Sequence, residues 1–257
     1  MATRKRTRKR KKKTQQSRFI KRLKRIGGIV VSVVFFIFLL YRLAPVVFSL
    51  FPSYTNDGDF DGIDVSKHQG KINWEEVATH KNIKFVYIKA TEGRTMVDKT
   101  YKRNIQEARK AGLKVGSYHF FKSNRDARDQ FENFRQHVNK KEQDLIPMVD
   151  VEESGCRGTS RVQLQAKLEE FMKLMKEEYG VYPLLYSQYR FYNEKLAPEF
   201  NRYFIFIARY SDKEPVLRGS GKHNIWQYSE RGKVSGIKEY VDLDKFVNGT
   251  TIKDIRY

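Results

Sequence analysis

The stretch Met148-Val-Asp-Val-Glu-Glu153 is an apolar run that ends in carboxylates, and acids rarely close a buried strand unless they are used. Alternate side chains of a strand share a face, so Asp150 and Glu152 point the same way, roughly 6 to 7 Å apart at about 3.3 Å per residue. Two carboxyls so placed suit glycosidic-bond chemistry. One stays protonated and donates to the leaving oxygen, and the other stays charged and stabilises the positive charge developing on the sugar. Glu152 is the candidate acid and Asp150 its partner. Asp-x-Glu also occurs at solvated strand ends, so the pattern takes its weight from the elements that position it.

From Phe60 onward, β-forming runs alternate with helical patterns. Strand candidates cover 62–65, 85–90, 114–121, 145–151, 183–187, 203–210, 224–228 and 240–243. Leu164, Leu168, Phe171, Met172, Met175 and Tyr179 recur at helical spacing, and Gly180 stands where a helix stops. Phe131, Phe134 and Val138 mark a second helix, and Asp98 and Gly112 bracket a third through Tyr101, Ile105 and Ala108. Eight strands alternating with helices predict an α/β fold, a parallel sheet able to close as a TIM-like barrel, and the short connections after Tyr203 predict an irregular last third. Such barrels gather their chemistry at the C-terminal strand ends, where Asp64, Glu92, His119, Asp150, Glu152 and Gln227 fall.

The net charge of +21 suggests a polyanion partner until its location is read. Residues 1–25 hold fourteen Lys and Arg and no acid. Such a run could bind nucleic acid, but Ile26 to Tyr41 are sixteen uncharged, mostly apolar residues, and the apolar character resumes after Arg42 through Phe51. Roughly 20 apolar residues span a bilayer, and a basic flank holds the N-terminus in the cytoplasm. The segment is longer than a signal-peptide core and no small-x-small cleavage site follows it. The expected organisation is a basic cytoplasmic tail (1–25), an uncleaved transmembrane anchor (26–51), a polar linker (52–59) and one folded domain (60–257) outside the cytoplasmic membrane. Juxtamembrane Lys and Arg then meet anionic lipid, with no need of nucleic acid. Cys156 is the only cysteine, so no internal disulfide forms; with no His nearby to activate it, it reads as a bystander. The histidines show no metal-ligand spacing, and no metal or other cofactor is expected.

With these residues in place the chain resembles glycoside hydrolase family 25, the Chalaropsis-type lysozymes. The resemblance is carried in order by Gly62-Ile-Asp-Val-Ser-Lys-His-Gln-Gly70, Ile72-Asn-Trp74, Phe85-Val-Tyr-Ile-Lys-Ala-Thr-Glu-Gly93, Ala111-Gly-Leu-Lys-Val-Gly-Ser-Tyr-His-Phe120, Met148-Val-Asp-Val-Glu152, Trp226-Gln-Tyr-Ser229 and Val241-Asp-Leu-Asp244. It implies a modified barrel of five β/α units followed by three further strands. It also implies cleavage of the β-1,4 bond between N-acetylmuramic acid and N-acetylglucosamine in peptidoglycan. Glu152 matches the family's general acid and Asp150 the residue assisting it, while Asp64 and Asp242 match two further acids of the cleft. Mutual repulsion among four carboxylates is expected to help hold Glu152 protonated.

Tyr118, Tyr186 and Trp226 are candidate stacking platforms for sugar rings. Gln227 is a candidate polar contact to substrate, and Lys89 and Glu92 either bind substrate or form a structural ion pair. His119 reads as a structural group among barrel aromatics. Met148-Val149 stands where many relatives carry Leu, a conservative change. Glu153 faces away from Glu152, and the Asn248-Gly-Thr250 glycosylation pattern carries no weight. The expected partners are a peptidoglycan strand and the membrane, and the expected assembly is a monomer. Two other function classes fit the sequence less well. A non-hydrolytic glycan-binding module on the same fold has no physical reason to keep a costly cluster of acids, and a nucleic-acid-binding role for the tail leaves the apolar segment unexplained.

Overall fold

The computed structural model describes residue 42 and residues 60–257. The basic tail, the expected membrane segment (Arg42 apart) and the linker lie outside the described residues. Among the described residues no helix is long and apolar enough to cross a membrane.

The strands are β1 (Gly62–Val65), β2 (Phe85–Glu92), β3 (Met96–Val97), β4 (Val115–Phe120), β5 (Met148–Asp150), β6 (Leu184–Gln188), β7 (Ile205–Ala208), β8 (Ile225–Gly232) and β9 (Val241–Phe246). The sheet runs β1-β9-β8-β7-β6-β5-β4-β2 and closes through a β1–β2 pairing, with β3 a short hairpin partner of β2. Seven of the eight barrel strands are mutually parallel, and β9 runs antiparallel to both β8 and β1. Helical segments follow each of the first five barrel strands, β1, β2 (with its partner β3), β4, β5 and β6: α1 (Trp74–Val77), α2 (Tyr101–Lys110), α3 (Ala127–His137), the pair α4 (Glu153–Cys156) and α5 (Arg161–Tyr179), and α6 (Tyr189–Phe191). Between β7 and β8 there is only one short helical turn (Arg218–Ser220), β8 and β9 form a hairpin, and a last turn (Ile252–Ile255) follows β9. This is five β/α units and three further strands.

Local sequence explains the supporting helices. In α5 the apolar stripe is wholly buried; Ser160 and Gln163 form a capping box, and Gly180 ends the helix at φ +76°, a conformation that costs glycine little. Asp126 caps α3 by accepting from the backbone of Arg128 and Asp129. At α2 the outcome differs from the expectation, since Thr100 holds the cap position and Asp98 lies two residues before it. The Asp98 carboxylate accepts from the Thr100 N–H at 2.8 Å and from the Lys67 N–H at 2.9 Å, tying the helix to the turn that leaves β1.

The strand expected over 145–151 is shorter, because its first residues are used elsewhere. Leu145 bridges to Arg256, and the Ile146 N–H donates to the Ile255 carbonyl, so the C-terminus plugs the floor of the barrel. Phe85, Tyr87, Met148, Leu184, Phe206 and Ile225 form one buried cluster with Ile255, while their strand neighbours Val86, Ile88, Val149, Leu185 and Ile207 join the cluster under the helices. This is the period-two alternation of a two-faced strand. The interior is therefore packed with side chains below and open to polar groups only at its C-terminal rim.

Candidate active site

The same alternation carries acids to that rim. On β1 Gly62 and Asp64 share the interior face, on β9 Asp242 and Asp244 do, and Asp64 and Asp242 are directly opposed across the antiparallel β1–β9 pair. Asp150 closes β5, and Glu152, still extended at φ −119° and ψ 161°, is the cap residue of α4. Asp64, Asp150, Glu152 and Asp242 line one cleft of about 330 Å³, together with Lys89, Tyr118, Phe120, Tyr186 and Tyr210.

Burial raises every one of these acids. Asp64, 8% exposed, is pushed up to about 7 by desolvation and the charge of Glu152, against hydrogen bonds from Gln227 and Asp242. Asp242 is pushed up to about 9 by desolvation and by the charges of Asp64 and Glu230. Asp150, 6% exposed, is held well above the usual carboxylate range by burial and by Glu152, with Lys89 opposing. Glu152 is also raised by burial, but the Ser154 hydroxyl, which donates to it at 3.2 Å, and the charges of Lys89 and Lys122 pull the other way. Desolvation thus raises Glu152, whereas mutual repulsion falls on its three neighbours, which differs from the repulsion expected to act on Glu152 itself.

Lys89 reaches Glu92 at 2.7 Å and Lys122 reaches the same carboxylate at 3.1 Å, both lysines lying against the Phe120 ring. Against the cost of its own burial, these two cations hold Glu92 below its ordinary value. Glu92 is therefore an ion-pair partner behind the cleft, while Lys89 lines it. Tyr118 and Tyr186 line the cleft as expected of platforms. Trp226 lies outside it: adjacent to Gln227 on β8, it faces the helix layer, and its Nε1 donates to the Arg209 carbonyl at 2.8 Å. Gln227 faces inward but is only 1% exposed. The Tyr186 and Tyr210 hydroxyls donate to its Oε1 at 2.9 and 2.8 Å, and its Nε2 donates to Asp64 Oδ2 at 2.6 Å.

His119 is buried, paired through Nδ1 with Thr91 at 2.8 Å and stacked on Phe171, and burial pushes it down to about 3. Burial pushes the Cys156 thiol up to about 11, which leaves no thiolate near neutral pH. Among the described residues no cluster of His, Cys, Asp or Glu is placed to hold a metal ion. The expectations omitted several polar groups near the acids, among them Tyr210, Glu230 and Asp244, with Ser66, His68 and Gln69 also lining the cleft. Asp244 is fully buried, neither carboxyl oxygen has a hydrogen-bond partner, and desolvation with the charges of Asp64 and Asp242 raises it well above its usual range. Its place two residues after Asp242 was the available signal, as was the place of Tyr210 just past the end of β7.

The family model for glycosyl hydrolases family 25 matches residues 63–237. The chain is 37% identical over 193 residues to the uncharacterized protein YegX of Escherichia coli (strain K12), covering 74% of this chain and 70% of that one. It is 32% identical over 191 residues to the autolytic lysozyme of Clostridium acetobutylicum, covering 74% of this chain and 57% of that one. The fold is similar to that of a family 25 glycosyl hydrolase from Bacillus anthracis, with a TM-score of 0.68 at 32% identity over 76% of this chain and 92% of that one. An acid-lined barrel rim and a family match that spans it together identify the chain: it belongs to glycosyl hydrolases family 25, the lysozyme-type glycoside hydrolases.

Proposed function

We propose that this protein is an N-acetylmuramidase that cleaves the β-1,4 bond between N-acetylmuramic acid and N-acetylglucosamine in peptidoglycan. The observation that carries this reading is the convergence of Asp64, Asp150, Glu152 and Asp242 on one cleft of about 330 Å³. Glu152 lies two residues beyond the end of β5, at the N-cap of α4, and burial raises its affinity for a proton, the direction a general acid needs. It protonates the leaving oxygen. Asp150, one alternate position deeper, assists by orienting the substrate's 2-acetamido group for internal attack or by holding the attacking water. The first route retains the anomeric configuration and the second inverts it, so the anomer formed in the first turnovers identifies which is used. Tyr118 and Tyr186 supply apolar faces to the sugar rings.

Incubation with purified peptidoglycan is expected to release new reducing ends on N-acetylmuramic acid. Glu152→Gln is expected to lower kcat by about 10²- to 10⁴-fold, the range for loss of a general acid. Wild-type turnover of zero, with glycan still bound, would replace the hydrolase by a binding module. The basic residues 1–25 and the apolar residues 26–51 support a single-pass anchor with the catalytic domain outside the cytoplasmic membrane, where an intact wall lies, and the enzyme acts there as a monomer. Protease added to intact spheroplasts should then remove the domain and spare the tail.

A further inference from the structure

Gln227 is placed on the interior face of β8 among three polar groups that engage both ends of its amide. A carboxamide is directional: its oxygen only accepts and its nitrogen only donates. Two hydroxyls converge on Oε1, so Nε2 is left facing Asp64, and a donor at 2.6 Å favours the ionised form of the carboxyl it touches. Reversing the amide would require both tyrosines to become acceptors and Asp64 to supply the proton. Asp64 also shares a hydrogen bond with Asp242, its opposite number on β9.

We infer that Gln227 is a positioning residue for the glycosidase reaction: locked in one orientation by Tyr186 and Tyr210, it keeps Asp64 as the charged member of the Asp64–Asp242 pair and leaves the shared proton on Asp242. The inference rests on the muramidase reading above. It assigns to Asp64 the negative charge that the cleft presents to a sugar developing positive charge once the Asp64–Asp242 pair has lost its first proton. The order of the pair agrees, with Asp64 near 7 and Asp242 near 9. The titratable groups facing Asp64 are Asp242 and Asp244 from β9, Asp150 and Glu152 from the end of β5, Tyr118 from β4, Tyr186 from β6 and Tyr210 after β7. These are acids and phenols; His68, Lys89 of β2 and Glu230 of β8 line the same cleft, but the Lys89 ammonium pairs with Glu92, so the Gln227 amide is the donor in contact with Asp64 that offsets them. Tyr210 is 47% exposed and lines the cleft, which gives the lock one end on the substrate side.

The test is Gln227→Met in the full chain, which keeps bulk and removes the donor. Asp64 should then ionise about one unit higher, moving the acid limb of the kcat profile up and lowering kcat on that limb roughly tenfold, with recovery as pH rises and KM little changed. The double variant Tyr186→Phe and Tyr210→Phe frees the amide to turn and should shift the same limb in the same direction by less. It also serves if the Met variant does not fold. A profile that superimposes on wild type, or a loss equal at every pH, overturns the inference. Titration of 13C-labelled aspartate carboxyls by NMR keeps this separate from the muramidase reading. If wild type releases no reducing ends, that reading falls, while an Asp64 resonance titrating higher in the variant still supports the lock and an unmoved one removes it.

Discussion

Glu152 and Asp150 are neighbours of the same chemical type in one cleft, yet their surroundings treat them differently. Asp150 ends a buried strand and has an oxygen with no hydrogen-bond partner, whereas Glu152 lies at a helix cap within reach of Ser154, and Lys89 and Lys122 draw it down. Lys89 is thus a lever on the acid. Lys89→Met removes a cation that stabilises ionised Glu152, so Glu152 should hold its proton to higher pH and the alkaline limb of activity should move up by as much as about one unit. Glu92 keeps Lys122 as a partner, so the change does not strand a charge. An alkaline limb that stays in place in the kcat profile would show that Glu152 is not the group titrating there. At this scale the acids were legible, because Asp-x-Glu on a strand end fixes a common face. Trp226 and Gln227 were both expected at the substrate, although adjacent strand residues face oppositely and only one of them can look inward; the structure turns Trp226 to the helix layer. The partners of Gln227 were not legible, because Tyr186 and Tyr210 reach it from other strands and no local spacing records that meeting.

The elements that hold these groups were largely written in the chain's periodicity. All eight barrel strands and the three long helices fall where alternation and apolar stripes place them. The exceptions have tertiary causes: the start of the expected strand at 145–151 is taken by the C-terminal plug, and Asp98 bonds two backbone segments instead of capping one helix. The short α4 sets where Glu152, its N-cap residue, stands in the cleft, so the proposed role of Glu152 makes activity sensitive to it. Its Gly155 N–H donates to the Glu152 carbonyl, its own carbonyl accepts from Ser123, and a Cβ there would stand 2.3 Å from the Phe121 carbonyl oxygen. Backbone blocks that position. Gly155→Ala should therefore push α4 off the end of β4, costing about 1–3 kcal/mol of stability as overpacking. Because a misplacement near 1 Å can cost about 10²-fold in rate, kcat should fall far more than the melting temperature suggests. Equal activity in a variant that melts like wild type would show that α4 has slack.

Across the whole domain the cleft acids impose a cost that pH should expose. Asp64 and Asp242 rise from 3.8 to about 7 and about 9, and Asp150 and Asp244 rise in the same direction, so the folded state keeps protons that the unfolded chain has released. The resulting stability is fully present below the ordinary carboxylate range and is lost as pH climbs through the raised values. His119 acts oppositely. Buried neutral and lowered from 6.5 to about 3, it contributes stability above 6.5 that is lost on acidification, and His223 is lowered in the same direction. Above pH 6.5 the histidines contribute nothing further, and the carboxyls alone set the slope, each protonated one by up to about 1.4 kcal/mol per pH unit. The melting temperature of the full chain is therefore expected to fall steadily from pH 6.5 to 9, with the maximum on the acid side of neutral. Asp242→Asn keeps the shape and removes one ionisation, so its melting temperature should fall less over the same interval. If wild type and variant instead melt alike at both ends of that range, Asp242 is already ionised at pH 6.5, and desolvation does not govern the charge state of the cleft.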